Sequence, residues 1–70
     1  LKEKYGILEG FGPGWTLRIL FESERKDLYG SIMETTGEIW DSLESLLDLV
    51  GKRVKVEVTG YKVTKIEATS

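Results

Sequence analysis

The 70-residue chain contains no cysteine, histidine, asparagine or glutamine, and only one proline and one methionine. Without Cys or His there is no disulfide and no thiolate or imidazole zinc site. The same absences remove the commonest general base and the commonest thiol nucleophile. Glu22, Glu24 and Asp27 fall in a charged, solvated turn, and two-carboxylate chemistry needs a cleft deeper than so small a domain holds. The expectation is a protein that is not an enzyme and that carries no cofactor and no metal. No signal-peptide pattern opens the sequence, and no apolar run approaches the roughly 20 residues that span a bilayer. Neither a membrane nor a secreted role is expected, and the cytoplasm is the expected compartment. A start at Leu1 rather than Met suits a domain cut from a longer chain.

A chain of this length makes one domain, residues 1–70, and buries only about 60–65% of the surface its unfolded form exposes. With no staple available, stability rests on packing, hydrogen bonds or a partner subunit. Charged residues make up 31% of the chain. Loss of Asn, Gln and Cys beside Lys and Glu enrichment is the compositional pattern of hyperthermophile proteins. The net charge of −2 argues against a strongly basic nucleic-acid binder, but the charge is unevenly placed. Residues 38–50 carry four carboxylates and no cation, whereas residues 51–70 carry five cations against two carboxylates. The basic part therefore sits at the C-terminal end.

Hydrophobic periodicity divides the chain. Residues 4–9 read as a first strand leading into the loop "GFGPG". Residues 15–22, "WTLRILFE", put Trp15, Leu17, Ile19 and Phe21 on one face and Thr16, Arg18 and Glu22 on the other, the period of a half-buried strand. A charged turn, "SERK", leads to a third strand at 27–35. There Leu28, Gly30 and Ile32 share one face, Tyr29, Ser31 and Met33 the other, and Gly30 marks a bulge or sharp bend. The period then becomes helical, with Ile39, Leu43, Leu46, Leu47 and Val50 in one stripe and Trp40 on its flank. Thr35 and Glu38 stand at capping-box spacing, with Thr36 the alternative N-cap, and Gly51 with Lys52 and Arg53 supplies the stop. The spacing predicts one helix of about 12 residues. "RVKVEV" at 53–58 turns Val54, Val56 and Val58 inward, and "TGY" joins it to a last strand at 62–68 as a hairpin.

The fold class is thus mainly β with one helix, in the order β-β-β-α-β-β. That order, with the closing hairpin "GKRVKVEVTG…KVTKIE", resembles the OB-fold, a five-stranded, partly open barrel. An SH3-like barrel and a β-grasp arrangement are the alternatives. The resemblance is one of element order and pattern and covers essentially the whole chain.

OB domains bind ligands on the face of strands 2 and 3, between the loop joining strands 1 and 2 and the loop joining strands 4 and 5. Here those loops are "GFGPG" and "TGY". The resemblance implies Phe11, Trp15 and Tyr61 at the rims, Tyr29, Arg18 and Met33 on the platform, and Lys55, Lys62 and Lys65 near the second loop. Aromatic faces with cations between them suit single-stranded DNA or RNA, held weakly and without sequence preference. Each ring also has a plain structural reading. Trp15 is in phase with the core stripe, Tyr61 can cover its neighbouring glycine, and a small core needs large rings. "GFGPG" is no dinucleotide loop, because a strand and not a helix follows it. Its likeness to the "GFGF" of cold-shock domains fails at Pro13. Glu38, Asp41, Glu44 and Asp48 form an acidic stripe, a solvated face or a docking surface for a basic partner. The alternative to nucleic acid is a protein-interaction module, either a homo-oligomer or an accessory subunit of a larger assembly.

Overall fold

The strand signals resolve into β1 (Lys2–Gly12), β2 (Thr16–Glu22), β3 (Leu28–Thr35), β4 (Arg53–Thr59) and β5 (Lys62–Ala68). Two short helices, α1 (Gly37–Asp41) and α2 (Leu43–Leu47), lie between β3 and β4. The computed structural model describes residues 2–25 and 27–69; Lys26 of the charged turn and the side chain of Leu43 lie outside the described residues. Strands are hydrogen-bonded in the order β1-β2-β3-β5-β4, and β4 pairs back onto β1, so the sheet closes in a ring. Every contact is antiparallel except β3 with β5, a parallel contact limited to Glu34–Lys62 and Thr35–Val63.

Alternation in β2 and β4 fills the ring. Leu17, Ile19 and Phe21 face Val54, Val56 and Val58, joined by Leu8 and Val63, and Ile39 and Leu46 from the helices complete the core. No helix among the described residues is long and apolar enough to cross a membrane.

Four expectations are corrected. First, β1 starts before residue 4 and continues through Gly12, so most of "GFGPG" is strand and the turn shrinks to Pro13–Trp15. Second, the bulge lies at Glu9, and a further irregularity at Thr64, while Gly30 pairs regularly with Leu20. The extra residue at Glu9 shifts the phase of β1, so that Leu8 and Phe11, three apart, both turn toward the core.

Third, the faces of β3 are reversed. Directly paired residues share a face, and Phe21 pairs with Tyr29 while Arg18 pairs with Ile32. Tyr29, Ser31 and Met33 therefore take the core side, and Leu28 and Ile32 point out, 52% and 58% exposed. Fourth, the single helix is broken at Ser42. The Ser42 hydroxyl donates to the Glu38 carbonyl and its N–H to Ile39 rather than Glu38. A serine bonding back four residues competes with the helical ladder and bends it. The break rotates Leu47 and Val50 out of the apolar stripe to the surface. Thr36, not Thr35, is the N-cap, accepting the Ile39 N–H, and Gly51 takes the left-handed stop with φ of 85°.

β1 crosses β2 closely at Gly6, where a Cβ would collide with the Leu20 carbonyl; a Cβ at Gly10 would meet nothing within 4 Å. Gly6→Ala should therefore lower stability by about 2 kcal/mol, the cost of a forced displacement in a packed interior. Gly10→Ala should stay within about 0.5 kcal/mol of the parent. Urea unfolding followed by circular dichroism separates them; equal losses in both variants would contradict the close approach.

Candidate functional site

The turn after β1 sets the site. Trp15 ends that turn, and its carbonyl accepts both the Thr35 N–H at 2.7 Å and the Thr35 Oγ1–H at 3.1 Å. With its backbone held there, the indole lies outside the core against Gly37, 59% exposed. Thr16 Oγ1 donates to the Pro13 carbonyl at 2.9 Å and holds the turn shut. Across from it, β5 begins at Lys62. Between them lies an open groove of about 360 Å³, walled by Trp15, Thr16, Glu34, Thr35 and Lys62.

Two more expected residues fall on this side. Tyr61, in the turn before Lys62, is 87% exposed. Arg18 stands on the outer face of β2, two residues from Thr16 and so about 7 Å along the strand, beside Ile32 of β3.

Three expected residues are elsewhere. Phe11 is half-buried, packed on the core and edge-on to Trp40 at 5.9 Å between centroids, because the Glu9 bulge turns it inward. Tyr29 packs on Phe21 at 5.6 Å and is half-exposed only because it sits at the far end of the β2–β3 hairpin. It lies about 20 Å along the strands from Trp15 and on the opposite face, in a hollow with Lys4, Tyr5 and Glu22. Lys55 is clamped between Glu3 at 3.2 Å and Glu67 at 3.4 Å on the outer face of β4. These carboxylates, Glu3 foremost, hold its ammonium charged above the usual lysine range. Met33 faces the core with Tyr29, and Lys65 pairs across from Glu57.

Thr16, Glu34 and Thr35 line the groove without having been singled out. Their only signal was register, since each lies at the point where β2, β3 and β5 meet.

Ion pairing removes another cation. Arg53 donates from Nε and Nη2 to Glu22 at 2.7 and 3.0 Å, and its guanidinium lies 4.6 Å over the Tyr5 ring. Arg18 and Lys62 have no such carboxylate partner among the described residues. No three acidic side chains converge as a metal site among the described residues. No family model, curated protein or solved structure matches the chain.

The Arg53 hydrogen bond holds the Glu22 carboxyl below its ordinary 4.5. A carboxyl with a depressed folded-state pKa adds stability that is fully present above the unfolded value and is lost as pH falls through the folded one. The melting-temperature gap between the parent and Glu22→Gln should therefore be widest near neutrality and close as pH falls below 4.5. Melting curves between about pH 3 and pH 7 test this; a gap independent of pH would mean the pair contributes nothing through ionisation.

Proposed function

We propose that this chain is an OB-like barrel domain that binds single-stranded DNA or RNA weakly and with little sequence preference. Support for the OB reading comes from the closed five-strand order with the helices between β3 and β4. The observation that carries the function is the exposed Trp15 indole facing Lys62 across an open groove. Trp15 and Tyr61 offer two stacking faces, one on each of the loops that flank the ligand face of an OB domain. Lys62 and Arg18 take phosphates, and Glu34 in the groove wall turns phosphates away and favours base edges. Phe11, Tyr29 and Lys55 have no part in it.

Stacking on an aromatic side chain contributes about 1–3 kcal/mol per base. Two phosphate contacts give a salt slope of about −1.4, so affinity should fall about sevenfold between 50 and 200 mM salt. Titrating the protein with a short oligothymidylate should quench tryptophan fluorescence, and Trp15→Phe should abolish that quench although Trp40 still emits. Lys62→Gln should halve the salt slope, while Lys55→Gln should leave affinity and slope unchanged. Quenching that survives in Trp15→Phe, or binding indifferent to salt, would overturn this assignment.

A further inference from the structure

We propose that β3 is an interface strand, pairing antiparallel with β3 of a second copy of this chain about a two-fold axis at Gly30. This goes beyond the nucleic-acid reading and does not depend on it.

The backbone provides the first part of the argument. The Thr35 N–H donates to the Trp15 carbonyl in the same register as the β2–β3 ladder. Residues 29, 31 and 33 therefore exchange their backbone bonds with β2, and Leu28, Gly30 and Ile32 point theirs away. β5 reaches only Glu34 and Thr35, so among the described residues no strand takes up that outward row over residues 28–33.

Soluble proteins blunt such edges with charge, proline, bulges or cover. Residues 28–33, "LYGSIM", contain no charge and no proline. Their pairing is regular, and the outward Leu28 and Ile32 are more than half exposed.

The chemistry of the edge selects a second copy. With Gly30 opposite Gly30, each Leu28 falls opposite the other copy's Ile32, so both exposed aliphatics are covered twice by one two-fold operation. The cross-strand row then reads Arg18, Ile32, Leu28, Glu22, the outer pair being supplied by β2 of each copy. A cation on one copy and a carboxylate on the other bracket the aliphatic pair, and no like charges face each other. A contact over residues 28–32 of each copy falls below about 1,000 Å², which makes the dimer weak and concentration-dependent.

Sedimentation equilibrium from about 10 µM to about 1 mM, the range a small interface requires, should show reversible dimerisation. Leu28→Lys with Ile32→Lys places like charges opposite each other and should weaken the dimer about tenfold or more. Leu28→Lys with Ile32→Glu places opposite charges there, and opposite Glu22 and Arg18 on β2 as well, and should restore it. All these positions are exposed, so folding should be unaffected, and circular dichroism checks that. Because the chain has no cysteine, Gly30→Cys gives a second readout. Paired Cα atoms about 5.5 Å apart permit a disulfide, so this variant should cross-link on mild oxidation while Leu47→Cys on the helix does not. A parent monomeric throughout, a dimer indifferent to the lysine pair, failure of the Lys–Glu variant to restore it, or cross-linking no greater than in Leu47→Cys would overturn the proposal.

Discussion

The end of β3 is where separate parts of the chain are tied together. Thr35 is the one buried polar side chain among the described residues. Its N–H and its hydroxyl both donate to the Trp15 carbonyl, and it pairs with Val63 to close the ring. One residue later, the Thr36 N–H reaches the Val63 carbonyl while its side chain caps α1. A buried hydroxyl left without a partner costs about 1–3 kcal/mol, so Thr35 is tolerated inside only while the Trp15 carbonyl stays within reach. That constraint fixes the backbone of the turn, and the indole is left outside over Gly37. Tryptophan is in phase with the core stripe of β2, yet it belongs to the Pro13–Trp15 turn beyond the end of the strand, where its ring lies against Gly37 and not among the core residues.

The same reasoning shows how far the residues could be read without coordinates. β2 and β4 were legible because their alternation is strict and their inward residues are bulky and aliphatic: Leu17 and Ile19 facing Val54 and Val56. Element order was legible for the same reason. β3 misled because Leu28 and Ile32 are aliphatic and out of phase with Tyr29. Burial preference says the aliphatics go inside, but pairing with β2 allows no choice once Phe21 is committed to the core. A one-residue difference in register exchanges the two faces entirely. Phe11 failed through a bulge at Glu9 that no local signal marks, and the helix through one serine whose hydroxyl competes with the backbone. Of the candidate residues, the exposure of Trp15 and Tyr61 was legible from loop position and that of Arg18 from its outward phase in β2. The ion pairing of Lys55 was not legible, because its partners Glu3 and Glu67 come from two other strands.

Charge along the sequence also overstated charge in space. The C-terminal segment carries an excess of cations, but Arg53 is matched by Glu22 and Lys55 by two carboxylates. The unmatched cations at the groove are few, Lys62 at its wall and Arg18 on the adjoining face. Under the proposed nucleic-acid reading, about two phosphate contacts are on offer there, and a single groove of that kind would be weak.

That weakness would give the proposed β3 pairing a functional sense. The groove lies at Glu34, four residues from Gly30, or about 14 Å along the strand. A two-fold axis at Gly30 would send the two grooves in opposite directions, to roughly 30 Å apart, on a sheet surface continuous from one β2 to the other. Neither groove is covered by such pairing, since the contact is confined to residues 28–32. A short strand of nucleic acid would see one groove. One long enough to span both would bind the second intramolecularly, gaining affinity without a new kind of contact. β5 also borders the Trp15–Lys62 groove and has no second partner strand beyond Val63 among the described residues, but that edge lies beside α1 and α2 and carries Lys65 and Glu67, whereas residues 28–33 carry no charge.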